Sequence, residues 1–459
     1  MGLSASPRKI CVISHGGTKN LGDEALFATV VQNTRLRIPD AEIIGFTISP
    51  EDTRKRHGIP CFPVRCSENP VESQDDSAME NPDPLSSTSS PATAGGGEKI
   101  KSALKSIPGL RPLISMMRGF ASGLVSVLAE PKFLIQSYRR LKGAQLLLAA
   151  GGQQLNDGYG GPWGYPFTLY KWTLLAKLTG TKVALLSVGA GPIDSPLSKF
   201  FFRRTLNMVD YRSYRDAISS KLMTSLGIKG VHPVFPDLVY SLRLPEPKPS
   251  PAGSQRVVVG TNPVPFFGAH YWPSPDEARY QEYVHKFAKF AEWLDKSGRS
   301  VLFFPTQVRA DAITINDIRA AMNGSGDSPN LLERQPIHNL EDLVSEISRA
   351  DLIVANRYHA ILISLMMNKP VLGIAYHEKS RALLEQAGQG DYVLKIEDFK
   401  IEELMERLEA LEANAPALKK RIGECMAPLR KALEQQYDAV FGLIGVKPDQ
   451  PTGRPLSDS

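Results

Sequence analysis

The stretch "DLIVANRYHAILISLMMNKPVLGIAYHEKS", residues 351–380, decides the fold. Two short apolar runs, "LIVA" and "PVLGIAY", flank "HAILISLMM", an apolar run long enough for a helix. Buried strand, helix, buried strand is a βαβ unit, and its home is a parallel sheet covered on both faces. The polar breaks in the stretch are basic. Arg357 and His359 follow the first strand, and His377 and Lys379 follow the second. Consecutive strands of a parallel sheet are often neighbours, so the two cation pairs are expected to face one small space. A helix N-terminus already attracts anions through its free N–H groups and dipole. Adding cations there disfavours an isolated helix and makes sense where a negatively charged ligand completes the site. A lone His is more often a satisfied structural residue; four converging cations favour an anion site.

Working outward, the same alternation fills the chain. The second half restarts at "RVVVGTNP" and continues through the long amphipathic helix "EARYQEYVHKFAKFAEWLDKSG", the strand "SVLFFPT" and the helix "EDLVSEISRA". After residue 380, helices near "KSRALLEQAG" and "IEELMERLEALEAN" lead to a polar tail. The first half offers strands at "RKICVIS", "EIIGFTIS", "AQLLLAAGG", "KVALLSVGAGP" and "YRSYRD", about five βα units. The Pro-rich stretch 243–255, "RLPEPKPSPAGSQ", reads as a linker. The expected fold is α/β, two Rossmann-like domains facing a cleft, spanning 1–242 and 256–440, with a flexible tail at 441–459. Ligands in such sheets bind beyond the carboxyl ends of the strands.

Composition narrows the function classes. The 459 residues carry 54 Lys or Arg against 48 Asp or Glu, a net charge of +6 that does not argue for nucleic acid. Four cysteines (Cys11, Cys61, Cys66, Cys425) show no metal-ligand spacing, so no metal and a reducing, intracellular compartment are expected. No apolar run reaches the roughly 18 residues a membrane span needs. Residues 67–97 hold six acidic residues and no Lys or Arg, then a Ser, Pro and Gly tract, and read as a disordered insert. Residues 98–142 hold nine Lys or Arg against two Glu among many apolar residues. That segment reads as a basic amphipathic contact with a membrane surface, or as a helix packed on its own domain. Its prolines cut it short and favour packing.

Other candidate residues lie at strand ends of the first half. "SHGGTKNLGDEA" sets Asn20, Asp23 and Glu24 after Gly16 and Gly17 and around Gly22, as ligand groups or as a helix cap. This is neither GxGxxG nor a P-loop, so no dinucleotide cofactor is expected. "GGQQLNDGYGG" offers Gln153, Asn156 and Asp157; Asp157 reads as a base, a hydroxyl clamp or a turn residue. "YRSYRD" offers Arg212 and Arg215, one expected in a structural ion pair, with Asp216 holding the other or capping a helix.

Taken together, "GTKNLGDEA", "AAGGQQLND", "GAGP", "YRDAISSKLMTSLG", "FPDLVYSL", "NRYHAILIS" and "IAYHEKS" resemble the polysaccharide pyruvyl transferases of cell-surface and exopolysaccharide synthesis. The likeness spans nearly the whole chain outside 67–142. It implies a glycosyltransferase-B-like pair of domains and transfer of the pyruvyl unit of phosphoenolpyruvate to sugar hydroxyls as a ketal. Phosphoenolpyruvate is then the donor substrate and no cofactor is needed. The acceptor is a carbohydrate, free or lipid-linked, and the enzyme works in the cytoplasm or at the inner membrane surface, where 98–142 could touch the bilayer. The likeness implies donor binding by Arg357, Arg215, Lys379, Asn20 and Asp23, and the strand-end cations add His377. The likeness ties His359 to catalysis; an imidazole suits the general acid that protonates the methylene carbon, with Asp157 or Glu24 taking the hydroxyl proton. The chain departs from the family pattern at Tyr358, at the two glycines of "AAGGQQLND" and at His377 with Glu378. Two rivals stand beside this reading: a nucleotide-sugar-dependent glycosyltransferase of the same architecture, and a non-catalytic glycan-binding homologue.

Overall fold

The computed structural model describes residues 7–15, 20–66, 130–158, 160–245, 256–272, 274–322 and 330–447. The acidic insert 67–97, residues 98–129 of the basic segment, Gly16 and Gly17, residues 246–255 of the linker and the tail beyond 447 lie outside the described residues. The strands are β1 Lys9–Ile13, β2 Glu42–Thr47, β3 Cys61–Pro63, β4 Ala144–Ala150, β5 Lys182–Val188, β6 Tyr211–Tyr214, β7 Val258–Asn262, β8 Ser300–Phe303, β9 Leu352–Ala355, β10 Val371–Ala375 and β11 Val393–Lys395. The helices of the first half are α1 Leu21–Arg37, α2 Pro50–His57, α3 over 130–141, α4 Tyr165–Leu178, α5 Pro196–Met208 and α6 Ala217–Ser225. Those of the second half are α7 Glu277–Lys296, α8 Ala310–Ala321, α9 Leu340–Ser348, α10 Tyr358–Met366, α11 Glu378–Gln386, α12 Ile401–Ala413 and α13 Ala415–Gly442.

The strands form two parallel sheets, ordered β3-β2-β1-β4-β5-β6 and β11-β10-β9-β7-β8. Strand β4, "AQLLLAA", is buried apart from Gln145, and β9, "LIVA", is buried throughout, as strands covered on both faces must be. Chain order reverses between β1 and β4 in the first sheet and between β7 and β9 in the second. Such switch points open a crevice at the carboxyl ends of the strands. Asn262, at the end of β7, is fully buried and closes the second crevice from below. Its Nδ2 donates to the Phe304 carbonyl at 2.9 Å, and its Oδ1 accepts from the Arg357 N–H at 3.3 Å.

The two carboxyl edges meet. The Leu21 N–H donates to the Thr306 carbonyl at 3.1 Å, and Asn20 forms an antiparallel bridge with Gln307. The start of α1 is thereby tied to the loop after β8. Two short edge strands, β3 and β11, went unread in the sequence; three residues are too few for a periodic signal. Of the basic segment, 130–141 is a helix whose Phe133, Ser137 and Leu141 are buried, with the Phe133 ring edge-on to Trp172.

The stretch after Asn414 corrects the expectation of a polar tail. It is a 28-residue helix, α13, with Leu418, Ile422, Met426, Leu433, Tyr437, Val440 and Phe441 buried. That stripe crosses back to the first half. Arg37 of α1 pairs with Glu434 and Asp438 and lies over the Tyr437 ring. Fully buried Gln436 accepts from Ser213 Oγ at 2.6 Å and donates to Ser187 Oγ at 3.1 Å. Ser187 sits in the left-handed region at φ 45, where a non-glycine residue needs such support. Gln436→Ala is expected to lower unfolding free energy by about 1–3 kcal/mol, since it strands the two serine hydroxyls. Urea unfolding followed by circular dichroism checks this; an unchanged midpoint would show that the hydroxyls find other partners.

Candidate active site

The site is built where α10 and α11 begin, opposite the loops of the first sheet. Arg357 is the N-cap of α10 and His377 that of α11, each with extended backbone and neither capping with its side chain. With no carboxylate in the first turn of α10, the helix N-terminus and its cations all favour an anion.

His359 reaches across to the first half. A Cβ on Gly22, in the first turn of α1, would overlap the imidazole. Glycine there lets the ring seat on the α1 backbone. Asn20 caps that helix, accepting from the Gly22 N–H at 3.0 Å. His359 Nε2 is shut from solvent and has no hydrogen-bond partner. Burial lowers the His359 pKa to about 4; Asp237 pulls it up, while Arg215 and Lys379 push it down.

Arg215, from the loop after β6, is the first half's cation in this cluster. Its side chain is only 5% exposed. The guanidinium lies 5.4 Å from the Tyr358 ring centroid, and Lys379 Nζ is 5.9 Å from the same ring. Asp237 and Asp216 stand 3.6 Å from its nitrogens, and Gln153 Oε1 accepts from Nη2. Gly189 leaves room, since a Cβ there would meet Arg215 Nη2 at 2.8 Å and Gln153 Oε1 at 2.7 Å. Burial lowers the Lys379 pKa to about 8, helped by Arg215 and opposed by Asp237, Asp216 and Asp23. His377 is pulled to about 4 by partial burial, then by the charges of Lys379 and Arg215. His359, His377, Lys379 and Arg215 thus form one group, with Asp23 at its margin.

Arg357 points elsewhere. Its Nε donates to Asp311 Oδ1 at 3.1 Å, its Nη2 to the same oxygen, and its Nη1 to Tyr271 Oη at 3.1 Å. Burial works against its charge, and the Asp311 carboxylate overrides it and holds the guanidinium charged. Asp311 is fully buried and also accepts from the Thr306 and Gln307 N–H groups at 3.0 and 2.9 Å. The pair therefore pins the loop that meets α1.

Two further sequence candidates are held away from the cluster. Glu24 is 3% exposed and faces α2, with its Oε2 at 2.8 Å from His57 Nε2. The Asp157 carboxylate accepts from the Asp194 and Ser195 N–H groups at 3.1 and 2.9 Å, which shapes the turn before α5. Asp216 does both jobs expected of it, pairing with Arg215 and capping α6 through the Ser219 N–H at 2.6 Å. Arg212 donates to the Leu206 and Lys229 carbonyls, and the ion pairing expected of one arginine falls to Arg215, with Asp216 and Asp237. Asp237 was missed as a site residue; it lies in "FPDLVYSL", 2% exposed, with Oδ2 lacking a hydrogen-bond partner. His15, at the end of β1, stacks on Tyr165 at 3.7 Å and is lowered to about 3 by burial and Arg65. Among the described residues, no group of three or more His, Cys, Asp or Glu could hold a metal ion.

Comparison with known proteins fits this geometry. The polysaccharide pyruvyl transferase family model matches residues 20–378, so the chain belongs to that family of transferases. The amylovoran biosynthesis protein AmsJ of Erwinia amylovora is 23% identical over 295 residues, 61% of this chain and 68% of that one. Both place the chain in polysaccharide modification. Its fold is shared with a UDP co-structure of MnaA from S. aureus, at 11% identity and a TM-score of 0.53, over 98% of this chain and 100% of that one. It is shared too with a UDP-N-acetylglucosamine 2-epimerase, at 10% identity and a TM-score of 0.52, over 97% of this chain and 99% of the other. The architecture is glycosyltransferase-B-like.

Three outcomes follow from this geometry. Gly22→Ala would ordinarily favour a helix by roughly 1 kcal/mol. Here the added methyl displaces His359, so turnover should fall while α-helical signal persists; full activity would mean the seat is not needed. Arg357→Ala leaves the Asp311 carboxylate buried and unpaired, a loss of about 3–5 kcal/mol in unfolding free energy by urea titration. The acid limb of stability comes from the histidines. His15, His359 and His377 have folded pKa values of about 3, 4 and 4 against 6.5 for a free imidazole. The unfolded chain then binds protons more readily, so stability falls as pH drops from about 6.5 toward 4, and the histidines add no slope between about 6.5 and 8. Urea midpoints at pH 7.5 and 5 measure the slope, and His15→Phe should reduce it.

Proposed function

We propose that the chain transfers the pyruvyl unit of phosphoenolpyruvate to two hydroxyls of a carbohydrate acceptor, forming a cyclic ketal. The observation that carries the reading is the convergence of Arg215, Lys379, His359 and His377 from both halves on one sheet-edge crevice. Desolvated cations of this kind favour a multiply charged anion, and phosphoenolpyruvate brings a phosphate and a carboxylate. Arg215 suits bidentate contact with either group, and Lys379 acts as a point charge.

Burial holds His359 at about 4, so the imidazole is neutral near pH 7. An anionic donor beside it raises its proton affinity, so donor binding draws in a proton. The imidazolium then protonates the methylene carbon of the donor. An acceptor hydroxyl adds at the neighbouring carbon, the carbon–oxygen bond to phosphate breaks, and the hydroxyl proton passes to the departing phosphate. A second hydroxyl adds at the same carbon, gives its proton back to the now neutral His359 and closes the ketal, leaving a methyl and a carboxylate on that carbon. Glu24 and Asp157, expected as bases, are left out because each is held by its own structural partner.

Phosphate release from phosphoenolpyruvate in the presence of a mixed bacterial glycan fraction tests the reading, with mass spectrometry of the product for the ketal. His359→Gln should lower turnover by about 10²–10⁴-fold with donor binding retained. Calorimetric titration of the donor in buffers of different ionisation enthalpy should show net proton uptake, lost in His359→Gln. Lys379 must be charged to hold the donor, and its pKa is about 8. Donor affinity should therefore decline as pH rises through about 8, and Lys379→Arg should move that limb to higher pH. Release of nucleotide from a nucleotide-sugar, without phosphate release from phosphoenolpyruvate, would overturn the reading.

A further inference from the structure

The face of the first half made by α3, α4 and α5 has no part in the site. The three helices lie side by side. Phe133 of α3 meets Trp172 of α4 edge-on, and Phe167 and Tyr170 of α4 meet Phe201 of α5 at 5.4 Å. Their composition is one-sided. The stretches 130–142, 165–178 and 196–208 carry nine Lys or Arg against one acidic residue, Glu130, which pairs with buried Lys171, while Lys177 pairs with Asp210. The whole chain is only +6, so the rest of the molecule is net acidic. Lys132, Arg139, Lys142 and Arg204 are exposed on this face.

The same face exposes large apolar side chains that a solvated helix layer would not carry. Helix α4 points a stripe of Phe167, Tyr170, Leu174 and Leu178 outward at helical spacing, with Leu174 40% and Leu178 65% exposed. Ile135 is 54% exposed on α3, and Phe200 is 45% exposed on α5 with Arg204 over its ring at 5.5 Å. Trp163, just before α4, is 65% exposed and edge-on to Phe167 and Phe201. A shallow groove between α3 and α4 is apolar at its floor, Leu134 and Leu175, and basic at its rim, Arg139 and Lys142.

We infer that this three-helix face docks on the surface of a bilayer carrying anionic headgroups. Exposed Trp, Tyr, Phe and Leu over a cationic field is the chemistry of an interfacial lipid contact. A second copy of this face is disfavoured because the exposed Lys132, Arg139, Lys142 and Arg204 would meet their own like charges. A soluble polyanion satisfies the charges and leaves Leu174, Leu178 and Ile135 without purpose. The inference is independent of the donor assignment, since none of these residues lies in the cation cluster.

Flotation of the full-length protein with phosphatidylglycerol–phosphatidylcholine vesicles, against phosphatidylcholine alone, tests it. Binding is expected only to the anionic vesicles and should weaken as salt is raised. The triple variant Arg139→Gln, Lys142→Gln, Arg204→Gln should lose affinity about fivefold per charge removed. Leu174→Ser with Leu178→Ser should keep the salt dependence and lose the binding that survives at high salt. All sit at exposed positions, so melting curves and phosphoenolpyruvate titration should match the parent. Failure to float with anionic vesicles overturns the inference. So does heparin binding that matches vesicle binding and ignores the leucine changes, which would mark a polyanion surface.

Discussion

An imidazole seated where a Cβ would otherwise stand joins the two halves of this molecule. His359 belongs to the second sheet and Gly22 to the first, and their contact brings both carboxyl edges to one point. The backbone bond from Leu21 to Thr306, the Asn20 cap and the Asp311–Arg357 pair all hold the same junction. Asp311 fixes the Thr306 loop by its N–H groups and fixes Arg357 by its charge, so one carboxylate sets the height at which α1 meets the second sheet. An arginine expected to bind ligand thus serves the architecture that positions the histidine beside it.

The electrostatic design is an unfinished ion cluster. Arg215, Lys379, His359 and His377 face Asp237, Asp216 and Asp23, and two of the cations are already discharged at neutral pH by burial. Removing charges from water costs several kcal/mol per ion unless partners return it. The acidic residues return part, leaving Lys379 titrating near 8 and a buried Asp237 oxygen with no hydrogen-bond partner. In the proposed reaction an anionic donor supplies part of what is missing and raises the proton affinity of the neutral imidazoles beside it. A neutral ligand would leave the cations as they stand, which is why the chemistry of the site points to an anion before any family likeness is considered.

Much of this was legible in the chain. The βαβ unit of 351–380 announced parallel sheets because apolar periodicity reports burial on both faces, and β9, α10 and β10 fall within it. Cations at strand ends were visible because a sheet's carboxyl edge is where loops carry function. Side-chain direction was not visible. Arg357 and His359 are two residues apart at a helix start, so they diverge around the axis, one to Asp311 and the other to Gly22. Glu24 and Asp157 are acidic and well placed in sequence, and both are claimed by partners, His57 and two backbone amides, that only tertiary structure supplies. Asp237 drew no notice because a lone Asp before "LVYSL" reads as a cap, which it also is, through the Val239 N–H. Helix α13 escaped because its buried stripe is dilute among charges and its partner surface lies more than two hundred residues away.

The basic face shows the same limit on a larger scale. Each of its three segments is unremarkable alone, and they are scattered from residue 131 to 208; parallel βα packing sets them side by side. That packing also fixes where the face lies relative to the cleft. In a βα unit the helix begins at the carboxyl edge of the strand before it. Helix α4 starts after the loop that carries Gln153 and Asp157, and α5 starts after the loop that carries Gly189. The apolar residues at the first turns of this face, Trp163, Phe167 and Phe200, therefore stand on the same rim as the residues that hold Arg215. A surface docked on the face meets the rim of the crevice rather than its back, so an acceptor carried in that surface would approach the cation cluster from the first half. The second half supplies His359 and Lys379 from the opposite edge, so the cluster with Arg215 is completed only where the two sheets meet.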